Sequence, residues 1–141
     1  MRVLIVDNQT VSRAGLRRLL ESYPDLEIVG EAGDSVQALS ETAELLPQVV
    51  LLDAQLPENQ SLDTLRQVRQ LNSDIRVLLL AGQEDETLLY EALRAGAGGY
   101  ILKDIAPDEL AQAVRGVGRH EYAAARADHR IGAGVATAGL A

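Results

Sequence analysis

Five short apolar segments, separated by stretches with helical periodicity, constrain the fold of this chain more than any other feature. The segments cover residues 3–6, 26–29, 49–52, 77–80 and 99–102. They lack apolar–polar alternation, and such runs are typical of parallel strands that helices cover on both faces. We therefore predict an α/β fold, a doubly wound five-stranded parallel sheet in the order 2-1-3-4-5 within a three-layer sandwich.

Apolar spacing and capping residues predict how the helices are placed on this sheet. The first helix is predicted to end at Pro24, with an inward face of Val11, Gly15, Leu19 and Tyr23. The second is predicted to follow a Ser35 cap, with an inward face of Val36, Leu39, Ala43 and Leu46. Ser61 is the predicted cap of the third helix, and Gly96 the predicted end of the fourth.

Length and charge narrow the classes of function. At 141 residues the chain is expected to form one domain with its own core. Its 13 Lys and Arg against 21 Asp and Glu give a net charge of −8, which argues against nucleic acid or an anionic membrane as the main partner. The absence of Cys excludes thiolate chemistry and agrees with a cytoplasmic location, and no apolar run approaches the length of a membrane span.

The last part of the chain differs in composition from the rest. We expect a domain over residues 1–119 and an Ala/Gly-rich tail over residues 120–141, because eight of the last 21 residues are Ala and three are Gly. About twenty residues are too few for a three-helix DNA-binding domain, and the tail has no basic recognition helix. The sequence therefore predicts no direct nucleic-acid binding by this chain.

Three ionisable residues follow predicted strands. Asp7 follows the first, Asp53 the third, and Lys103, the only Lys in the chain, follows the fifth. Ligands bind at the carboxyl edge of open parallel sheets, and the predicted order makes strands one and three neighbours. Two adjacent carboxylates repel unless a cation lies between them, and an oxygen ligand set favours Mg²⁺ over zinc. A lysine at this edge is suited to a phosphoryl oxygen.

These residues lie in a wider set of motifs. The stretches VLIVDNQ, VVLLDAQLPE and AGAGGYILKD resemble the receiver domain of two-component response regulators, and RAGLRRLLESYPDLEIVGEAGD resembles the NarL/FixJ-type subgroup. The resemblance covers about residues 2–118. It implies a flavodoxin-like receiver fold and a signalling protein rather than an enzyme, acting in a two-component phosphorelay linked to transcription regulation.

The resemblance also implies a role for individual residues. Asp53 would accept the phosphoryl group from a sensor histidine kinase or a phosphotransfer protein, and Lys103 would pair with that group. Asp7, Asn8, Asp53 and the backbone carbonyl of Gln55 would hold Mg²⁺. The residues of the conformational switch would be Tyr100 and the position of Ala81.

Two of these positions depart from the family pattern, as does one turn. Asn8 stands where the family usually has a second acid, so the pocket loses one negative charge and Mg²⁺ binding is expected to weaken. Ala81 stands where the family has a Thr or Ser, so a hydrogen bond to the phosphoryl group is lost and the switch is expected to weaken. The turn after Pro57 reads ENQS, where the family usually has Asp or Asn followed by Gly.

The departures leave an alternative open, a pseudo-receiver that acts as a phosphorylation-independent protein-interaction module. An enzyme or nucleotide-binding protein on the same architecture is less well supported, because DNQT after the first strand is not a glycine-rich phosphate loop. Pairing of two chains through their first and fifth helices is a further expectation, since receivers that resemble this one often associate in that way.

Overall fold

The computed structural model describes residues 1–119, in which strands and helices alternate along the chain. The predicted tail over residues 120–141 lies outside the described residues. The strands are β1 (Arg2–Val6), β2 (Glu27–Ala32), β3 (Val49–Asp53), β4 (Arg76–Ala81) and β5 (Gly99–Leu102). The helices are α1 (Thr10–Glu21), α2 (Ser35–Leu45), α3 (Ser61–Leu71), α4 (Glu86–Arg94) and α5 (Pro107–Gly118), with a short 3₁₀ turn at Pro57–Asn59.

The five strands form one parallel sheet in the order β2-β1-β3-β4-β5, which confirms the predicted fold class. Helices α1 and α5 pack on one face of the sheet, and α2, α3 and α4 pack on the other. The three central strands are almost wholly buried, as the absence of apolar–polar alternation predicted. The carboxyl ends of all strands therefore meet at one edge, beside the loops that lead into the helices.

The predicted inward face of α1 is partly wrong. Val11 is 86% exposed, whereas Leu20 is fully buried, and Leu16, Leu19 and Tyr23 pack against the core. Residues four apart on a helix drift by roughly 40° at each step, so the outer members of a long i, i+4 series cannot share one face. Leu19 and Tyr23 lie on the packed side, whereas Val11 and Gly15 are exposed.

The predicted face of α2 is mostly wrong, for a different reason. Leu39 packs against the core as predicted, but Val36 is 79% exposed, Leu46 is 56% exposed and Ala43 is also exposed. The buried residues are Ser35, Ala38 and Thr42. The two polar residues can be buried because both have partners. Thr42 donates to the carbonyl of Ala38 (2.6 Å), and the hydroxyl of Ser35 accepts from Thr64 on α3 (2.9 Å).

Two of the predicted caps are also wrong. Asp34, not Ser35, caps α2, and its carboxylate accepts from the backbone N–H of Gln37 (2.8 Å). Ser61 is the first residue of α3 and caps nothing. Its hydroxyl donates to the carbonyl of Asp53 (2.8 Å) and accepts from the N–H of Leu56 (3.2 Å), so it holds the two ends of the β3–α3 loop together.

That loop contains an unusual backbone conformation. Glu58 and Asn59 both have a positive φ, at 59° and 56°. Residues with a side chain adopt this left-handed region at a cost of roughly 1–2 kcal/mol each. By contrast, the predicted end of α4 is confirmed at a glycine, since Gly96 follows the helix with φ of 101°. Among residues 1–119, no helix is long and apolar enough to cross a membrane.

Candidate functional site

Asp7, Asp53 and Lys103 come together at the carboxyl edge of the sheet. Asp7 follows β1, Asp53 ends the neighbouring β3, and Lys103 follows β5. The Lys103 Nζ lies 3.3 Å from Asp7 Oδ2 and 3.2 Å from Asp53 Oδ2, so a single ammonium bridges both carboxylates. Asp7 is fully buried and Asp53 is 3% exposed. Two carboxylates this deep need the neighbouring positive charge to remain ionised.

Each carboxylate is also held by a hydrogen bond from its own loop. The N–H of Gln9 donates to Asp7 Oδ1 (2.9 Å), and the N–H of Gln55 donates to Asp53 Oδ1 (2.9 Å). In both cases the donor is the backbone N–H two residues further along the chain. This is the common turn in which an Asp side chain accepts a hydrogen bond from its own loop. These bonds fix one oxygen of each carboxylate and leave the other facing Lys103.

The two carboxylates differ in acidity. Burial acts to raise the pKa of Asp7, but the hydrogen bonds from Ser12 and the Gln9 backbone, together with the neighbouring Asp53 side chain and the charge of Lys103, bring the pKa below its ordinary value. Burial dominates at Asp53 and, with the neighbouring Asp7, raises its pKa above the ordinary value in spite of Lys103. Asp7 is therefore the more firmly ionised member of the pair.

Asn8 and Gln55 lie at the outer rim of this edge. Both side chains are exposed, and Asn8 makes no side-chain hydrogen bond within residues 1–119. In the part of the chain that the structure describes, no group of three or more His, Cys, Asp or Glu side chains could hold a metal ion. A cation at this edge would have only the carboxylates of Asp7 and Asp53 as charged ligands. This set fits Mg²⁺, which is usually bound by one or two carboxylates and retains several waters.

Ala81 and Tyr100 belong to the same buried cluster, on the face that carries α4. The carbonyl of Ala81 accepts from the N–H of Lys103 (2.8 Å), which ties the end of β4 to the site. Tyr100 is fully buried, and its hydroxyl has no hydrogen-bond partner among the described residues. Burial and the nearby carboxylates of Asp85 and Glu84 raise the pKa of Tyr100 to about 12, against a smaller lowering by the nearby backbone N–H of Asp85.

A polar cavity of about 410 Å³ lies beside Ala81, between the loop after β3 and the loop after β4. Its wall includes Gln55 and Ser61 on one side and Gly82 and Asp85 on the other. Because Ala81 lines this cavity, a larger side chain at that position would have space to enter.

Sequence reasoning missed one member of the site. Ser12, in the first turn of α1, donates its hydroxyl to Asp7 Oδ2 (2.5 Å) and accepts from Lys103 Nζ (3.2 Å). The available signal was a hydroxyl-bearing residue five positions after Asp7, at the start of the predicted helix. That signal is weak because spacing alone does not show which way the first turn faces.

Comparison with known proteins gives consistent matches. Residues 3–115 match the family described as response regulator receiver domain. The DNA-binding transcriptional activator DevR/DosR of Mycobacterium tuberculosis is 37% identical over 118 residues, which cover 84% of this chain and 54% of that protein. The nitrate/nitrite response regulator protein NarL of Escherichia coli K12 is 32% identical over 112 residues, covering 79% of this chain and 52% of that protein.

The solved structures agree with the sequence matches. The crystal structure of a two-component response regulator of the LuxR family from Aurantimonas superposes with a TM-score of 0.82 and 30% sequence identity, covering 89% of this chain and 93% of that one. The chain spans about half the length of the curated relatives that it matches.

Proposed function

Because the chain belongs to the family of response regulator receiver domains, we propose that it accepts a phosphoryl group on Asp53. The observation that carries this proposal is the Lys103 ammonium, within 3.3 Å of an oxygen on both buried carboxylates. A cation held at that position can neutralise the charge of a phosphoryl group on Asp53, which would otherwise lie unscreened beside the buried carboxylate of Asp7. The proposed partner is a sensor histidine kinase or a phosphotransfer protein.

The proposed reaction is an in-line transfer. An oxygen of the Asp53 carboxylate attacks the phosphorus of a phosphohistidine donor, the new P–O bond forms as the donor's P–N bond breaks, and Lys103 stabilises charge on the transferring oxygens. The Gln55 N–H holds the other oxygen of Asp53 (2.9 Å), so the carboxylate presents one face to the donor. Mg²⁺ bound by Asp7, Asp53, the Gln55 carbonyl and the Asn8 amide oxygen would supply further positive charge against the phosphoryl oxygens.

We further propose that the site binds Mg²⁺ and switches more weakly than a receiver with the usual residues. The exposed Asn8 brings no charge to the pocket, and Ala81 has no hydroxyl to bond a phosphoryl oxygen. A hydrogen bond to a charged group contributes roughly 1.5–3 kcal/mol, whereas a full switch needs about 5.5 kcal/mol. The conformational response of Tyr100 would then be small.

The same two residues support a second candidate function, a pseudo-receiver that acts by protein interaction alone. In that case Mg²⁺ with beryllofluoride, which imitates a phosphoryl group on a carboxylate, would leave the melting temperature unchanged. A clear rise in melting temperature would count against this second function.

DevR/DosR is described as a DNA-binding activator, but this chain spans about half of that protein. We propose that residues 1–119 do not themselves bind DNA, given the chain's net charge of −8.

The test of phosphorylation is a mass measurement. The protein is incubated with Mg²⁺ and a small-molecule phosphodonor, and its intact mass is recorded over time. We expect the mass of one phosphoryl group, lost in Asp53→Asn and retained in Asp63→Asn, which removes an exposed carboxylate from α3. No adduct, or an adduct that survives Asp53→Asn, would overturn the proposal.

A further inference from the structure

We propose that Ser12 is a positioning residue of this site, which fixes the Asp7 carboxylate and the Lys103 ammonium in one arrangement and so sets the affinity of the site for a divalent cation. The inference rests on the proposed function, because it concerns the same carboxylates. It adds a residue on α1 to a set that otherwise follows the ends of the strands.

The hydrogen-bond count at Lys103 supports this role. An ammonium has three N–H donors, and three acceptors surround this one: Asp7 Oδ2 at 3.3 Å, Asp53 Oδ2 at 3.2 Å and Ser12 Oγ at 3.2 Å. Ser12 supplies the third acceptor, and its single hydroxyl hydrogen goes to Asp7 Oδ2 at 2.5 Å. One hydroxyl thus joins the ammonium and a carboxylate oxygen.

The Ser12 hydroxyl does not make the hydrogen bonds that a serine near the start of a helix usually makes. A serine at that place commonly caps the helix or bonds to the backbone of its own turn. Ser12 lies two residues after the start of α1, whose capping residue Gln9 makes no side-chain cap bond. Its hydroxyl bonds instead to Asp7 and Lys103, both outside the helix. The side chain is therefore directed into the site.

Few groups orient the Asp7 carboxylate. Oδ1 is held by the N–H of Gln9 (2.9 Å), and within residues 1–119 Oδ2 makes hydrogen bonds only with Ser12 and Lys103. The neighbouring Asn8 is exposed and makes no side-chain hydrogen bond within residues 1–119. Without the Ser12 hydroxyl, Oδ2 would keep the ammonium as its single partner. The ammonium, with one N–H then unpaired, would compete more directly with a metal cation for the carboxylates.

The size of the expected effect follows from metal sites in general. Hydrogen-bond partners of a ligating carboxylate typically change metal affinity by 10- to 100-fold when they are removed. We expect Ser12→Ala to raise the dissociation constant of the site for a divalent cation about tenfold. Ser12→Thr keeps the hydroxyl and should stay within about threefold of the unchanged protein.

The experiment measures metal binding directly, without phosphorylation. Mn²⁺ is titrated into the protein, free Mn²⁺ is counted by electron paramagnetic resonance, and displacement by Mg²⁺ identifies the shared site. The variants are Ser12→Ala, Ser12→Thr and Ser40→Ala, the last removing an exposed hydroxyl from α2. Circular dichroism checks that each variant is folded.

The expected result is weaker binding in Ser12→Ala, with Ser12→Thr and Ser40→Ala close to the unchanged protein. Equal affinity in Ser12→Ala, failure of Ser12→Thr to restore binding, or no saturable Mn²⁺ binding by the unchanged protein would overturn the inference. A protein that binds Mn²⁺ in a Ser12-dependent way but takes up no phosphoryl group would support the role of Ser12 while refuting the proposed function.

Discussion

Replacement of Lys103 by methionine tests the electrostatic basis of the site. Methionine keeps an unbranched, partly apolar stem but removes the charge that bridges Asp7 and Asp53. At the observed separations of 3.2–3.3 Å, each ion pair has a gross Coulomb energy of about 5 kcal/mol at an effective dielectric constant of 20. The desolvation of three charged groups offsets most of that attraction, so the net contribution is smaller.

The expected loss is the cost of leaving two buried carboxylates together. Removal of one partner from a buried ion pair typically costs about 3–5 kcal/mol. Since the Lys103 side chain is 26% exposed, solvent screens it in part and the lower end of that range applies. We expect Lys103→Met to lower the free energy of unfolding by about 3 kcal/mol at pH 7.5 without divalent cations, as measured by urea unfolding and circular dichroism.

The pH dependence of this loss has a definite sign. The pKa of Asp53 is already above its ordinary value through burial, and removing Lys103 raises it further. A carboxyl group whose pKa is higher in the folded than in the unfolded chain binds protons more readily in the folded chain. The free energy of unfolding therefore falls as the pH rises through the folded pKa. The defect in Lys103→Met should therefore be smaller at pH 5 than at pH 7.5.

A second substitution makes the prediction easy to refute. Lys103→Met combined with Asp53→Asn should recover most of the lost stability, because one of the two facing charges is gone. Arg66→Met, at an exposed position on α3, should change the free energy of unfolding by less than about 0.5 kcal/mol. A loss below 1 kcal/mol in Lys103→Met, or a double variant no more stable than the single one, would contradict the electrostatic reasoning.

Three further changes test other parts of the structure. Ala81→Thr should increase the stabilisation by Mg²⁺ and beryllofluoride by roughly 1.5–3 kcal/mol in thermal melts, through a hydroxyl placed beside the cavity; an unchanged shift would count against the role assigned to this position. Tyr100→Phe should raise the free energy of unfolding by about 1 kcal/mol, since it removes a buried hydroxyl that has no partner; a clear loss of stability would show that the hydroxyl is bonded. Asp25→Asn should lower the melting temperature, and its difference from the unchanged protein should shrink as the pH falls from 4 towards 2, because the hydrogen bonds from Arg115 lower the pKa of Asp25 to about 2; a constant difference would refute this.

The fold could be predicted from the sequence because its strongest signal is chemical and repeated. Each apolar run is long enough for a strand, and the helical stretches between the runs supply crossovers for parallel neighbours. The placement of Asp7, Asp53 and Lys103 at one edge followed from the strand order, because the carboxyl ends of parallel strands share an edge. These inferences depend on which residues occur and in what order.

Finer details could not be predicted because they depend on how polar groups pair in three dimensions. The face of α2 was misassigned because Val36 is more apolar than Ser35, yet Ser35 is buried by its bond with Thr64. Ser61 is a residue type that often caps helices, but its hydroxyl instead makes hydrogen bonds with two backbone groups of the loop after β3. Ser12 was missed for the same reason, because its hydroxyl makes hydrogen bonds with residues that are 5 and 91 positions away in the sequence.

If Ala81 and Tyr100 form the proposed switch, their surroundings imply that it differs from a hydrogen-bonded one. Both residues lie in the same buried cluster, but Ala81 has no polar side-chain atom and the Tyr100 hydroxyl has no partner among residues 1–119. Any coupling between the end of β4 and Tyr100 is therefore carried by packing, which transmits a displacement only when close-packed side chains move together. A hydroxyl introduced by Ala81→Thr would add a polar link between one end of this path and a phosphoryl group on Asp53, as proposed above. The Tyr100→Phe change should leave the packing intact, so the two variants together separate polar from steric coupling.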